Sequence, residues 1–327
     1  MVLNMTLLST RRSLVGLSLV AATRTQAQPT GRVVRTVVGF AAGGPQDIVA
    51  RLYAEQLRGR YAPQVIVENR TGAGGRLGVE AVKAAPPDGM TLLVGAASLL
   101  TIYPHLYGRA LRYDALVDLT PVTPVCVYPF ALAVRSDHPA RDLESFAAWS
   151  QSRGETPFAS PAAGSMPHFL GVQIGRSLGL SLTHVPYRGT APAVQDLLGG
   201  QIPAVLVPVG GVSTYQRSSA LRILGLSSEE RLDALPGVPT FAEQGHTDLT
   251  AEEWLGVLLP AGAPEALVEE LRRSLVAASE TPEVRDGLSR LDYRPLTSSS
   301  AEFARRLRAE RDQWGPIVQA SGFRPED

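Results

Sequence analysis

The sequence has a single cysteine, Cys126, among its 327 residues, so no disulfide can form within the chain. It also lacks an excess of either charge, because 31 lysines and arginines balance 31 aspartates and glutamates. A chain without a basic excess does not carry the electrostatic footprint of a nucleic-acid-binding protein. Cys126 lies in the apolar run VTPVCVYPFALAV, where a buried, unreactive thiol is more common than a nucleophile.

Long apolar runs are scarce as well, since no stretch reaches the roughly 20 residues of a membrane-spanning helix without charges or prolines. The apolar residues 13–22 follow two arginines and precede Ala27, a small residue suited to cleavage. This pattern predicts an export signal over residues 1–27 and a mature protein outside the cytoplasm. The arginine pair is compatible with both general and twin-arginine export. The alternative is an ordered N-terminal helix.

Neither nucleotide-binding fingerprint is present, because the glycines of AAGGPQDIVA do not fit G-x-G-x-x-G and no lysine follows them as in a P-loop. Residues 33–47 nevertheless predict a buried strand that passes through a glycine-rich turn into a helix starting near Pro45. Such a junction exposes unpaired backbone N–H groups at the positive end of a helix dipole. The turn therefore predicts a seat for a carboxylate or another small anion, and packing is the alternative reason for its glycines.

Strands and helices alternate along the chain, which predicts a parallel sheet of an α/β fold. A second α/β series follows from about residue 130, and two helices are predicted near the end, at 264–279 and 301–320. We expect residues 28–129 plus 255–327 to form one lobe and residues 130–254 a second lobe, with a ligand cleft between them. A single continuous domain is the alternative.

Six segments resemble the periplasmic substrate-binding receptors of tripartite tricarboxylate transporters, also called the Bug family. They are VVGFAAGGPQDIVAR (37–51), QVIVENRTGAGG (64–75), PPDGMTLLVG (86–95), HVPYRGTAPAVQDLLGGQI (184–202), LPGVPTFAEQG (235–245) and WGPIVQASG (314–322). The resemblance implies a two-lobed fold similar to type II periplasmic binding proteins. It also implies a monomeric, periplasmic receptor without catalytic residues, cofactor, metal or nucleic acid, which passes a small carboxylate to membrane transporter subunits.

The resemblance further implies that backbone N–H groups, hydroxyls and ordered waters of three turns hold the carboxylate. In the first turn the residues are Phe40, Ala41, Gly43, Gly44, Gln46 and Asp47. Ser98 is added from the sheet itself, because ligands of open α/β sheets bind beyond the carboxyl ends of the strands, where the loop 96–98 would lie. In the second and third turns they are Ala163, Gly164, Ser165 and His168, and Tyr187, Gly189, Thr190 and Ala191. Bridging waters can hold a ligand in this way with little loss of affinity.

The chain departs from the family pattern at several positions, and most departures remove polar groups. Ala42 stands where the family usually has proline, and the segment Pro161-Ala162-Ala163 is less polar than its usual counterpart. Apolar residues also occupy the positions expected to face the far end of the ligand: Val207, Val209, Leu99, Leu100 and Tyr103. We therefore expect a small monocarboxylate with an apolar or aromatic tail, rather than citrate or aspartate.

Several of these residues have a second interpretation. Asp47 and His168 each lie near the start of a predicted helix, where a structural hydrogen bond is the alternative to ligand contact or catalysis. Ser165 would be the nucleophile of a serine hydrolase, but its flanks lack the G-x-S-x-G elbow. Arg188 would pair with a second carboxylate or remain solvated. An exported ligand sensor without a transport role also fits the sequence.

Overall fold

The computed structural model describes residues 33–324, and their fold starts with the strand and helix alternation that the sequence predicts. The predicted export signal, residues 1–27, lies outside the described residues. The first series consists of β1 (Val33–Val38), α1 (Pro45–Leu57), β2 (Gln64–Asn69), α2 (Arg76–Lys83) and β3 (Thr91–Ala96). Strand β1 pairs in parallel with β2 on one side and with β3 on the other, as expected for an α/β sheet.

A long strand then leads out of this first series. The chain forms the short helices α3 (Ala97–Thr101) and α4 (Tyr103–Tyr107) and then β4 (Leu119–Arg135), a strand of 17 residues. Strand β3 ends at Ala96, and the small residues after it start α3.

The second series repeats the architecture of the first. In chain order it comprises α5 (Leu143–Arg153), β5 (Glu155–Ser160), α6 (Met166–Leu178), β6 (Ser181–Pro186), α7 (Thr190–Leu198), β7 (Ala204–Pro208), α8 (Ser213–Arg217) and β8 (Leu221–Leu226). Strand β5 pairs in parallel with both β6 and β7. Three helices and two strands follow: β9 (Glu252–Pro260), α9 (Glu265–Ser279), α10 (Pro282–Arg290), β10 (Arg294–Pro295) and α11 (Ser300–Ser321).

Strand β4 joins the two series. Its residues 119–129 pair antiparallel with β9, whereas residues 130–135 pair antiparallel with β7 and β8. The sheet path is β2-β1-β3-β9-β4-β7-β5-β6, and β8 and β10 are further partners of β4. We call the elements around β1–β3, together with α9–α11, the first lobe, and those around β5–β8 the second lobe.

The C-terminal helices cover the first lobe. Helices α9 and α10 pack against α1, and α11 packs against α3, α4 and β4. Gly256 of β9 leaves the room that the Phe303 ring of α11 fills, since a Cβ there would lie 2.3 Å from the ring. Helix α11 begins with a capping box between Ser299 and Glu302. The sequence predicted α9 and α11 to within one residue at each end but missed α10, a short polar helix with Pro282 at its start.

Among the described residues, no helix combines the length and the apolar composition that crossing a membrane requires.

Candidate functional site

Turn 1, residues 40–47, connects β1 with α1 and is shaped by two glycines. Gly43 has a φ of +79°, a conformation that residues with a side chain rarely adopt. Gly44 is extended and precedes Pro45, whose fixed φ suits the first residue of α1. The N–H of Gly43 donates to Asp47 Oδ2 at 3.0 Å, which closes the turn.

Asp47 is the residue that braces turn 1. Its Oδ2 also accepts from Arg51 Nε at 2.9 Å, and its Oδ1 accepts from Asn69 Nδ2 at 2.9 Å. Asn69 additionally donates to the carbonyl oxygen of Phe40 at 3.0 Å. Burial alone would raise the pKa of Asp47, but the hydrogen bonds from Arg51, Gly43 and Asn69 outweigh it and lower the pKa. Asp47 therefore has the structural role that the sequence offered as the alternative to ligand contact.

Turn 2, residues 160–168, connects β5 with α6 and repeats this geometry. Gly164 has a φ of +73°, and Ser165 after it is extended and precedes the first residue of the helix. The N–H of Gly164 donates to His168 Nδ1 at 2.9 Å, again across four residues. His168 thus takes the place that Asp47 has in turn 1, and it is the helix-start hydrogen bonder that the sequence suggested.

His168 is held by a second histidine. Its ring stacks on that of His184, with the centroids 3.8 Å apart, and His184 Nε2 lies 2.7 Å from Ser160 Oγ. Burial lowers the pKa of His168 to about 4, and burial together with the neighbouring His168 lowers the pKa of His184 to about 3. Both rings are neutral at neutral pH, and the bond from Gly164 places the proton of His168 on Nε2.

Turn 3, residues 187–191, connects β6 with α7 and is tied to turn 2. The N–H of Tyr187 donates to Ser160 O at 2.9 Å, and the N–H of Gly189 donates to Pro161 O at 3.0 Å. Turn 3 also contacts turn 1 of the first lobe, because a Cβ added at Gly189 would lie 3.3 Å from Ala41 N. The three predicted turns therefore meet where the two lobes face each other.

Several polar groups at this meeting point have no internal partner. Within residues 33–324, no hydrogen-bond acceptor meets the N–H groups of Ala41, Gly44, Gln46, Thr190 and Ala191. The hydroxyl of Thr190 is buried and also has no partner among these residues. These donors lie at the N-termini of α1 and α7, where the helix dipole favours a negative charge. Gly44, Gln46 and Thr190 are buried and Ala41 and Ala191 half-buried. Buried donors without partners are costly, so this cluster is suited to bind an anion.

Other predicted site residues have their donors engaged elsewhere. The N–H groups of Gly43, Gly164 and Gly189 are bound inside the turns, as described above. The N–H of Ser98 donates to Glu253 Oε1 at 2.8 Å, its hydroxyl donates to the same oxygen, and Tyr128 Oη donates to Glu253 Oε2 at 3.2 Å. Burial raises the pKa of Glu253. Ser98 thus holds the start of α3 to β9.

The arrangement around Ser165 does not form a nucleophile and base pair. Its hydroxyl donates to Ala162 O at 2.7 Å, and in the described part of the chain no hydrogen bond links it with His168. Arg188 is exposed, with no ion pair among the described residues. The same residues contain no group of histidine, cysteine, aspartate and glutamate suited to a metal ion.

Beside the turns, the side chains are apolar and buried. The residues that the sequence assigned to the far end of the ligand are at most 1 % exposed: Leu99, Leu100, Tyr103, Val207 and Val209. Two cavities lie away from the turns. One, of about 920 Å³, lies between residues 228–234 and 285–295. The other, of about 780 Å³, lies between α4 and the end of α11. Neither is lined by residues of the three turns, which contact one another instead.

Sequence reasoning missed the residues that fix the turns from a distance. Asn69 and His184 lie on other elements. Tyr103, which the sequence assigned to the far end of the ligand, reaches both Gly74 O and Ala163 O with its hydroxyl. The hydrogen bond between Gly164 and His168 could have been predicted from the sequence, because these residues have the same four-residue spacing as Gly43 and Asp47.

A two-lobed α/β fold that brings helix N-termini of both lobes together defines a protein of the type II periplasmic-binding class. More specifically, the chain belongs to the family of tripartite tricarboxylate transporter receptors, whose sequence profile matches residues 49–323. The members of this family are periplasmic solute receptors and not enzymes. This agrees with the function class that the sequence motifs predicted.

Two relatives illustrate the match. The chain is 32% identical over 306 residues to a UPF0065 protein of Bordetella bronchiseptica, with 94% of this chain and 90% of that protein covered. It is 30% identical over 292 residues to the protein BugT of Bordetella pertussis, with 89% and 90% covered.

Solved structures show the same fold. The periplasmic binding protein BugD superposes with a TM-score of 0.84 at 30% identity, covering 90% of this chain and 99% of BugD. MatC of Rhodopseudomonas palustris, solved with bound malate, gives 0.82 at 30% identity, covering 89% and 99%. A further R. palustris protein, solved with adipate, gives 0.85 at 27% identity, covering 91% and 99%.

Proposed function

We propose that this protein is an extracytoplasmic receptor that binds a small carboxylate between turns 1 and 3 and delivers it to the membrane subunits of a tripartite tricarboxylate transporter. The observation that carries the proposal is the cluster of unpartnered donors, which includes the N–H groups of Gly44 and Ala191 and the Thr190 hydroxyl. Relatives solved with malate and with adipate support a carboxylate as the ligand class.

We also propose where the protein acts and how its chain is divided into lobes. The export signal at residues 1–27 is removed, and the mature receptor acts as a monomer in the periplasm. Its lobes are residues 28–129 with 255–327 and residues 130–254. The change of partners along β4, from β9 to β7 and β8 at residue 130, supports this division.

The preferred ligand has one carboxylate and an apolar or aromatic tail. Buried apolar side chains, among them Leu99, Val207 and Val209, support this preference. Such a tail gains roughly 25 cal/mol for each Å² of apolar surface that leaves water. A second carboxylate placed among these side chains would lose its hydration without gaining a partner.

Calorimetric titration with a panel of acids tests the ligand class. Phenylacetate, benzoate and isovalerate should bind to the purified mature protein, and citrate and aspartate should bind more weakly or not at all. Tight citrate binding without any response to the apolar acids would refute the preference, and no response to any acid would refute the carboxylate receptor. Uptake of a radiolabelled ligand by the host with and without the receptor gene separates delivery to a transporter from ligand sensing.

Thr190→Val tests the site. Removing the unpartnered hydroxyl should weaken phenylacetate binding about tenfold, since a hydrogen bond to a charged group contributes roughly 1.5 to 3 kcal/mol. Thr36→Val is the matched control, because the Thr36 hydroxyl is also buried without a partner but lies within β1. Equal effects of both variants would place the carboxylate elsewhere.

A further inference from the structure

The two lobes touch through polar contacts on both sides of the three turns. One contact involves Tyr103 of α4, a first-lobe residue with no solvent exposure. Its hydroxyl lies 2.9 Å from Gly74 O in the first lobe and 3.1 Å from Ala163 O in turn 2 of the second lobe. One phenolic proton is therefore shared between carbonyl groups of opposite lobes.

The neighbouring side chain tightens this contact. Leu106, one helical turn after Tyr103, lies against turn 2 so closely that a Cβ added at Gly164 would meet its Cδ1 at 2.3 Å. The shared hydroxyl is consequently enclosed by apolar groups, where water competes poorly for the two carbonyl oxygens.

The second contact is an ion pair. Arg217 of α8, in the second lobe, donates from Nη1 to both carboxylate oxygens of Asp292 at 3.2 and 3.3 Å and from Nη2 to Arg290 O at 3.2 Å. Asp292 follows α10 in the first lobe, and its side chain is 1% exposed. If the lobes separated, Asp292 would lose its partner and would have to be hydrated instead.

The backbones of the two lobes are closely packed beside the second contact. A Cβ added at Gly210, in the turn between β7 and α8, would lie 2.8 Å from Leu291 O. The glycine lets the second lobe approach the residues next to Asp292 closely enough for Arg217 to reach the carboxylate.

We infer that Tyr103 and the Arg217–Asp292 pair are interlobe latches that position turns 1, 2 and 3 and populate the closed arrangement before a ligand arrives. This inference rests on the proposed function for its biological meaning but not for its test. A preclosed receptor loses little free energy in organising its site, and its ligand leaves only after the latches open. The latch residues therefore influence the ligand's residence time through the arrangement of the lobes.

Interlobe distances in the ligand-free protein provide the test. Spin labels are attached at the exposed positions of Glu55→Cys in α1 and Glu144→Cys in α5 and measured by pulsed electron paramagnetic resonance. The native Cys126 stays unlabelled, because it is fully buried and burial raises the pKa of its thiol. The wild type should show a population at the shorter, closed distance.

The latch variants should reduce this population. Tyr103→Phe should lower the ratio of closed to open protein about fivefold, the size expected for one neutral hydrogen bond. Arg217→Gln should lower it about tenfold, because it leaves Asp292 unpaired in the closed form. The two latches share no residue, so the double variant should approach the product of both effects.

Two controls remove similar interactions within one lobe. Tyr113→Phe deletes the hydrogen bond from Tyr113 Oη to Leu99 O at 2.7 Å. Arg231→Gln deletes the ion pair in which Arg231 Nε donates to both carboxylate oxygens of Glu243 at 2.9 Å, and this arginine is exposed to nearly the same extent as Arg217. Both controls should lower the melting temperature and leave the distance distribution unchanged.

Three results of the distance measurements would contradict the latches. A wild type without a closed population, latch variants with the wild-type distribution, or controls that open the lobes equally would each overturn the inference. If phenylacetate binds to the wild type, its dissociation rate should rise about fivefold in Tyr103→Phe, and its association rate should rise as well, because the ligand enters through the open form that this variant populates more. If phenylacetate does not bind, the proposed ligand preference is wrong, but the interlobe distances still test whether Tyr103 and the Arg217–Asp292 pair act as latches.

Discussion

Turn 1 and turn 2 hold a glycine N–H in the same way but with side chains of different chemistry. In each turn the N–H of a glycine with positive φ donates to the side chain four residues later, Asp47 in turn 1 and His168 in turn 2. An extended residue follows each glycine, and the helix begins directly after it. The comparison indicates that this turn requires a hydrogen-bond acceptor at the fourth position and does not require a charge.

The surroundings of the two acceptors explain why each residue type is stable there. The Asp47 carboxylate has Arg51 and Asn69 as further partners, so its charge is compensated. His168 lies among aromatic rings, stacked on His184 and edge-on to Phe323 at 4.5 Å. A carboxylate in that position would be buried without a compensating charge, and a neutral imidazole avoids this cost.

Lowering the pH should reveal the largest difference between the two turns, in how much each contributes to the free energy of unfolding. Because the pKa values of His168 and His184 are lowered to about 4 and about 3, the unfolded chain takes up protons on these residues below pH 6.5 while the folded chain does not. Their stabilising contribution is complete above pH 6.5 and is lost as the pH falls toward 3. Between pH 7 and pH 4 they should lower the free energy of unfolding by about 6 kcal/mol. Urea unfolding at a series of pH values measures this loss.

His184→Phe isolates the second turn in that experiment. The variant keeps an aromatic ring against His168 and removes one titrating group, so its stability should fall less steeply with decreasing pH. The pKa of Asp47 is lowered from 3.8, so the contribution of turn 1 should persist until the pH falls below about 4. A variant with the wild-type pH profile would contradict the role given to the histidine pair.

Alanine substitution of the two glycines should have the next largest effect. Gly43→Ala should cost about 1 kcal/mol from backbone strain alone, since no atom lies within 4 Å of the new Cβ. Gly164→Ala should cost about 3 kcal/mol, because its Cβ would also meet Leu106 at 2.3 Å. Thermal unfolding measures both, and a double-mutant cycle with Leu106→Ala isolates the steric part. Equal costs would mean that Leu106 moves aside freely.

Asp47→Asn should have the smallest effect. The amide oxygen still accepts from Gly43 and Asn69 still donates to Phe40 O. The ion pair with the half-exposed Arg51 and the hydrogen bond from Asn69 to Asp47 Oδ1 are lost, so the expected cost is about 1 kcal/mol. Urea unfolding at pH 7 provides the measurement, with Arg51→Gln as the companion variant at about 0.5 kcal/mol. A loss above 3 kcal/mol would show that turn 1 needs the charge and that the two turns are not equivalent.

The local parts of this site were predictable from the sequence, because they depend on neighbouring residues. The β-branched run before the glycines predicts the strand, and Pro45 after them predicts the start of the helix; the structure has β1 from Val33 and α1 from Pro45. Helix α10 was missed because its nine residues are mostly polar and carry Gly287 in the middle.

Several donors of the predicted site residues are engaged by other parts of the protein. The sequence shows which N–H groups a turn contains but not which of them an acceptor from another element occupies. Pro161 O takes the N–H of Gly189, and Glu253, 155 residues away from Ser98, takes both donors of that serine. The positions of Asn69, His184 and Tyr103 likewise depend on strand pairing and helix packing that no short motif encodes.

The strand β4 has a consequence for how this molecule can be divided. Since its first part pairs within the sheet of one lobe and its last part within that of the other, one continuous strand carries the chain between the lobes. A lobe taken from a homologous receptor must therefore be joined inside this strand, and the alternation of its side chains between the two faces has to continue on both sides of residue 130. Grafting of single loops avoids this constraint and is the better engineering route.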